Sequence, residues 1–212
     1  MDMKKISAAC ATAAALATLF VPGSAFAADG TLALNAGDGS TLAGHSFTVY
    51  KVANYNDVVK DGANVKSVSA SSPDAAADAW VKAALNKNGV TYNTSEGRNA
   101  AEQLLRLKTD TDTLRKVAGT LQSTAASSRV TAVKTNQTST TGSLNLTLPE
   151  GYYLVVDAQG IPILVSTTIG GATRMSNGQT LGSTQIKTNV TKIDKKIKSV
   201  DGTWKDSAAA TN

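Results

Sequence analysis

The chain has 212 residues, a formal net charge of +5, one cysteine and one histidine. A single cysteine excludes an internal disulfide, and a single histidine disfavours multi-histidine metal centres. The length allows one well-packed domain and the beginning of another.

The N-terminus has the features of a secretory signal peptide. Lys4 and Lys5 precede a nearly uncharged apolar run from Ile6 to Val21, and Ala25-Phe26-Ala27 follows as a small-x-small cleavage pattern. The run is shorter than a bilayer-spanning helix requires. Cys10 precedes most of this run, which disfavours a lipoprotein anchor. We predict that residues 1–27 are removed after Ala27, so that the secreted chain begins at Ala28 without a thiol.

Alternating residues predict strands at the start of the secreted chain. "TLALN" (31–35) and "SFTVYKVA" (46–53) have a period of two, and "GDGSTLAG" between them is typical of a turn. His45 stands at the end of this turn. Because no second histidine and no other cysteine is available to share a metal, we expect His45 to be a solvated turn residue and not a metal ligand or general base.

The middle of the chain changes to a helical period. "SPDAAADAWVKAALNKNG" (72–89) has Ser72 as the predicted N-cap and Gly89 as the stop, and two further helical stretches follow. Together they predict a helical insertion over about 73–121. The "DTD" at 110–112 lacks the glycine and distal glutamate of a calcium loop, so Thr111 or Asp112 is interpreted as a helix cap.

Strand periodicity returns after a Ser/Thr-rich stretch, 123–141, that is predicted to be a loop. The predicted strands are "SLNLTL", "GYYLVV", "IPILVST" and "TQIKTNV", and turn residues separate them. Strands on both sides of a helical region favour a mainly β fold, an immunoglobulin-like antiparallel β-sandwich with the helices in one connection. No metal site and no cofactor is predicted.

Carboxylates are the remaining candidates for catalytic side chains. Two members of the set Glu96, Glu102, Glu150 and Asp157 would have to face each other in a cleft for a secreted glycan-active enzyme. Their spacing does not require this. The excess of lysines near the C-terminus lacks interleaved aromatic residues and an arginine cluster, so nucleic-acid binding is not predicted.

Three segments resemble a known family. "TLAGHSFTVYKVA" (41–53) and "LPEGYYLVVDAQG" (148–160) resemble the first strand pair and a late strand of Cna-type immunoglobulin-like domains. "IDKKIKSVDGTWKDSAAATN" (193–212) resembles the beginning of the second domain in sortase-assembled major pilins of Gram-positive bacteria. The resemblance implies a signal peptide, an N-terminal pilin domain over 28–188, and a truncated second domain over 189–212 that turns at Asp201-Gly202.

The resemblance also implies a function without enzymatic activity on an outside substrate. The protein would be a structural subunit of a covalently polymerised pilus in the cell wall, and its partners would be other pilin subunits, a pilus sortase and, for adhesion, a host protein or glycan. The alternative is a surface adhesin of the same domains that does not polymerise. The family's Tyr-Pro-Lys motif is absent; "TQIKTN" occupies its place, and Lys187 falls where the acceptor lysine would be. No LPxTG sorting signal is present.

Isopeptide bonds between lysine and asparagine are a further property that the resemblance implies. In "VTKIDKKIKSV" the alternation places Lys195 between Ile193 and Ile197 on an apolar face, while Lys196 faces water with Asp194. Lys195 is therefore the predicted donor, with Lys196 as the alternative, and its partner would lie beyond this chain. The first domain has no lysine on its first strand, which predicts no such bond there. Asp157, in place of the family's glutamate, is then expected to face water.

Overall fold

The computed structural model describes residues 28–37, 40–91, 99–107, 112–187, 197–198 and 204–205. Two β-sheets pack face to face, and three helices cover the outer face of the larger sheet. This arrangement confirms the predicted mainly β sandwich with a helical insertion.

The smaller sheet has the strand order β5-β1-β8. β1 (Asp29–Ala36) is central, β5 (Ser143–Pro149) runs antiparallel to it, and β8 (Ser183–Ile186) runs parallel to it. Leu32 and Leu34 alternate with more exposed neighbours and point into the sandwich, as the period of two predicts. The parallel β1–β8 pair departs from an all-antiparallel arrangement.

The larger sheet is built around a long strand, β2 (Phe47–Asp61). β6 (Gly151–Asp157) pairs with one edge of β2, and β7 (Ile163–Ser166) pairs with β6. On the other edge, β4 (Ala132–Gln137) pairs with the first part of β2 and β3 (Asn64–Ser71) pairs with the last part.

One prediction about this sheet was wrong: the stretch 123–141 is not a loop throughout, because it contains the end of α3 and β4. In addition, β2 extends to Asp61 and is followed by β3, for which no strand was predicted. Both missed strands carry mostly polar residues, so neither has the apolar alternation that identifies a strand in sequence. Gly62, with φ of 61°, lies in the turn between β2 and β3.

Both faces of β6 are buried. Tyr153 and Val155 face the smaller sheet, whereas Tyr152 and Leu154 belong to the core beneath the helices. A strand covered on both faces has a continuous apolar run instead of an alternating one, which explains "GYYLVV". β6 therefore connects two separate hydrophobic cores.

The insertion consists of α1 (Ala75–Lys87), α2 (Ala100–Arg106) and α3 (Asp112–Thr124). Trp80 is 2% exposed, and its indole N–H donates to Thr124 over 3.0 Å, which ties α1 to α3. Ser72 is not the N-cap of α1. Asp74 has that role, because its carboxylate accepts from the backbone N–H of Ala77 at 2.7 Å, while the Ser72 hydroxyl donates to Asp78.

Near the C-terminus, β9 (Ile197–Lys198) pairs antiparallel with β10 (Trp204–Lys205). This pairing agrees with a turn at Asp201-Gly202, although 199–203 lie outside the described residues. The domain boundary near Thr188 also lies outside them and stays a prediction. Among the described residues, the helices are too short or too polar to cross a bilayer.

Candidate functional site

The sandwich has two distinct ends. Glu150 alone separates β5 from β6, so the Pro149 end of the smaller sheet lies beside the Gly151 end of the larger sheet. Lys51 and Asp29 line one cavity there, and we call it the Lys51 end. The opposite end carries the C-terminus of β1, Asp157 and Lys187, and we call it the Lys187 end.

Lys187 follows the last residue of β8. Ile186 is 3% exposed, and its carbonyl accepts from the N–H of Gly37 at 3.2 Å, so the strand is anchored up to this point. The Lys187 side chain is exposed and has no hydrogen bond or ion pair to another described residue. An amine in this position is presented to solvent by a fixed strand.

His45 and Asp157 form a buried pair at the same end, so the prediction that each faces solvent was wrong. His45 is 6% exposed, Asp157 is 3% exposed, and His45 Nδ1 lies 2.6 Å from Asp157 Oδ2. The other carboxylate oxygen accepts from the N–H of Gln159 at 3.1 Å, and the His45 ring stacks on Phe47 with centroids 6.1 Å apart.

This burial has a simple physical reason. Gln159 Nε2 donates to the carbonyl oxygen of Gly44 at 3.0 Å, and the N–H of Ala158 donates to the carbonyl oxygen of Ser46 at 3.1 Å. These bonds fold the β6–β7 turn against the turn before β2, so the pair is enclosed between them. Among the described residues, no hydroxyl or thiol hydrogen-bonds to His45 as a nucleophile would. The pair is therefore best explained as a structural connection between two turns.

Two of the predicted carboxylates, Glu150 and Asp157, do not come together in one cleft. Glu150 and Asp157 stand at opposite ends of β6, roughly 20 Å apart at the rise of an extended strand. Glu150 accepts from the N–H of Gly170 at 2.5 Å, and Glu102 lies in the first turn of α2. Glu96 is outside the described residues. Glu150 and Asp157 are too far apart for the paired carboxylates of a glycosidase.

Metal ligands are also scattered. Within the part of the chain that the structure describes, no three His, Cys, Asp or Glu side chains are close enough together to hold a metal ion. Asp112 begins α3 and contacts Arg115 at 3.2 Å, in keeping with a role at the helix start.

Lys51 is a residue whose setting the sequence analysis did not identify. It pairs with Tyr153 across β2 and β6, and its amine lies 5.9 Å from the centre of the Tyr153 ring. The cavity around it measures about 610 Å³. Burial lowers the pKa of this amine, and the negative charge of Glu150 opposes the shift. The alternation in "FTVYK" already puts Lys51 on the face of Phe47 and Val49, and that signal would have found it.

Other predicted site residues fall outside the described part of the chain. They are the proposed cleavage residue Ala27 and the isopeptide candidates Lys195 and Lys196. Ala28 is described, is exposed, and lies one residue before β1.

Comparisons with known protein families, with curated proteins and with solved structures find no match to this chain.

Proposed function

We propose that this protein is a structural subunit of a covalently polymerised cell-surface pilus, with Lys187 as the amine that joins one subunit to the next. The observation that carries the proposal is the position of Lys187: exposed, without an ion-pair partner among the described residues, and directly after a strand that is hydrogen-bonded into the sandwich.

The chemistry requires an accessible amine. A sortase holds the C-terminal acyl group of one subunit as a thioester of its cysteine. The neutral Lys187 amine attacks the carbonyl carbon, a C–N bond forms, the C–S bond breaks, and the amine's proton is transferred to the departing thiolate. An acceptor must fit into the active site of another protein, so a side chain on an exposed strand end suits it.

Two further features support a fibre subunit. The predicted secreted chain has no cysteine, so its stability depends on packed cores. Both sheets contribute to those cores, and β6 joins them. Export is part of the proposal: N-terminal sequencing of secreted protein should find Ala28 first, or Asp29 if cleavage falls one residue later, whereas an uncleaved Met1 form in the membrane would contradict it.

The acceptor is tested in cells that express the full-length protein. Lys187→Ala should abolish the high-mass ladder in cell-wall extracts, because no amine then receives the thioester. Lys82→Ala, which removes an exposed lysine of α1, is the matched control and should leave the ladder intact. An unchanged ladder in the Lys187 variant would place the acceptor elsewhere. A monomer-only pattern in the wild type would favour the non-polymerising adhesin.

A further inference from the structure

A second cavity lies on the other side of the large sheet, under the helices. It measures about 610 Å³ and is bounded by β3, by α2 and by the segment 169–181. Tyr55, Tyr152 and Ser166 contribute from the sheet. The pilus proposal gives this cavity no role.

The wall formed by 169–181 is held in place by main-chain bonds. The N–H of Val65 donates to Arg174 at 3.0 Å, and the N–H of Ser176 donates back to Val65 at 2.8 Å. Gly170 is fixed from two sides, by Glu150 at its N–H and by Lys60 at its carbonyl. The cavity is therefore largely preformed, which is typical of small-molecule sites.

The sheet side of the cavity contains a buried polar group without a partner. Tyr152 is 6% exposed, and among the described residues its hydroxyl has no hydrogen bond. The hydroxyl of the nearby Tyr55 lies beside the side chain of Ser166. Leaving a buried hydroxyl unpaired costs stability, so a retained hydroxyl that borders a cavity indicates a group that enters the cavity and pairs with it.

The other polar groups indicate the class of ligand. Glu102 and Arg106 lie one turn apart on α2, and Gln179 lies on the facing segment. The two charges cancel, so the site favours neither an anion nor a cation. The carboxylate only accepts, the guanidinium only donates, and the amide does both. Such a mixed set suits a ligand with several hydroxyl groups, each of which donates and accepts.

Apolar side chains complete the lining. Leu105, Ile169 and Leu181 offer surface for the C–H face of a pyranose ring. The volume lies within the usual range for small ligands, about 300–1,000 Å³, and is too small for a folded partner. An extended peptide would need the free edge of β3, but Met175 already bridges to Val65 there.

We infer that this cavity, between β3, α2 and segment 169–181, binds a neutral sugar unit, a hexose or an N-acetylhexosamine, with the Tyr152 hydroxyl and the Glu102 carboxylate as its central hydrogen-bonding groups. This activity does not depend on Lys187 or on polymerisation.

The test uses the secreted chain and saturation-transfer NMR with methyl glycosides of galactose, glucose, mannose, N-acetylglucosamine and N-acetylgalactosamine. At least one should bind. Tyr152→Phe, which removes a buried hydroxyl, and Glu102→Gln, which replaces a charged acceptor with a neutral amide, should each weaken its binding about tenfold. Tyr153→Phe is the matched control. Its hydroxyl donates to the carbonyl of Pro149 on the other face of β6, so this change should lower thermal stability and leave sugar binding unchanged.

Tyr152→Phe should keep the thermal midpoint of the wild type or raise it, because the lost hydroxyl has no partner in the free protein. This separates a binding role from a structural one. Three results would overturn the inference: no glycoside binds, both variants bind as the wild type does, or binding is confined to a sialic acid glycoside or inorganic phosphate.

Discussion

Lys187 and Lys51 lie at opposite ends of the same sandwich and show two contrasting settings for an amine. Lys187 is exposed at the end of an anchored strand, whereas Lys51 lies between the sheets over Tyr153. Burial lowers the pKa of the Lys51 amine below its ordinary value. The contrast teaches that access, and not only the fraction of free amine, decides which lysine can react with another protein.

The two ends also differ in how their polar groups are paired. At the Lys187 end, the buried Asp157 carboxylate uses both oxygens, toward His45 and Gln159. At the Lys51 end, the amine has no ion pair or hydrogen bond within the described residues. We therefore expect mutations at the first end to cost more stability than removal of the Lys51 charge.

The largest effect is expected from Asp157→Ala. It leaves the buried His45 without its partner and removes the acceptor of the Gln159 N–H, which should lower the free energy of unfolding by about 3 kcal/mol. Urea denaturation of the secreted chain measures this loss. Asp61→Ala, at an exposed aspartate of β2, should change it by less than about 0.5 kcal/mol. Equal losses in the two variants would show that the His45–Asp157 pair adds no stability of its own.

At the Lys51 end, Gly151→Ala is expected to cause a smaller loss of stability. The added methyl group would lie 2.5 Å from the carbonyl oxygen of Ala53 and 2.5 Å from Lys51 Cε. Relief requires movement of the backbone, so we expect about 2 kcal/mol of destabilisation. Gly119→Ala in α3 meets no atom within 4 Å and should be neutral or stabilising. If the Gly151→Ala variant unfolds at the same urea concentration as the wild type, the close packing around Lys51 is refuted.

Lys51→Met tests the pKa of the half-buried amine. Since burial lowers this pKa, the unfolded chain binds more protons than the native chain between the lowered value and the ordinary 10.5, and wild-type stability rises with pH there. Methionine removes this dependence. Relative to the wild type, the variant should gain under about 1 kcal/mol at neutral pH, because the amine keeps part of its hydration.

The gain of Lys51→Met should shrink as the pH approaches 10.5. Urea denaturation at several pH values measures the difference between the two proteins. A difference that stays constant from neutral to alkaline pH would show that the Lys51 pKa is not lowered.

The last prediction is that the intact mass of the secreted chain equals the mass calculated from its sequence. Lys51 lies between the sheets, and among the described residues no asparagine lines its cavity. Intact-mass measurement of the secreted chain should therefore show no loss of ammonia. A deficit of one ammonia would reveal an isopeptide bond in this domain, and tandem mass spectrometry would then show whether Lys51 forms it.

The sequence predicted those parts of the fold in which burial is periodic. Leu32 and Leu34 in β1 and the apolar face of α1 followed their expected patterns, and the strand "SLNLTL" is β5. β3 and β4 escaped prediction because most of their residues are polar. The segment 169–181 is shaped by glycine turns and main-chain bonds, which leave no apolar period to detect.

Candidate site residues were harder to predict because their environment depends on distant contacts. His45 follows a turn and looks solvated in sequence, but Asp157, 112 residues away, encloses it. Lys187 is exposed, and its role as the acceptor stays a prediction. The hydroxyl of Tyr152 gave no sequence signal at all, since only three-dimensional packing distinguishes it from its neighbour Tyr153.

The central claim, that Lys187 joins subunits, is tested most directly on polymers purified from cells that express the full-length protein. Tandem mass spectrometry of their protease digest should find a branched peptide in which the Lys187 side chain carries the C-terminal residue of another subunit. A branch on Lys51, on Lys195 or on any other lysine, with Lys187 recovered only as an unmodified peptide, would contradict the account.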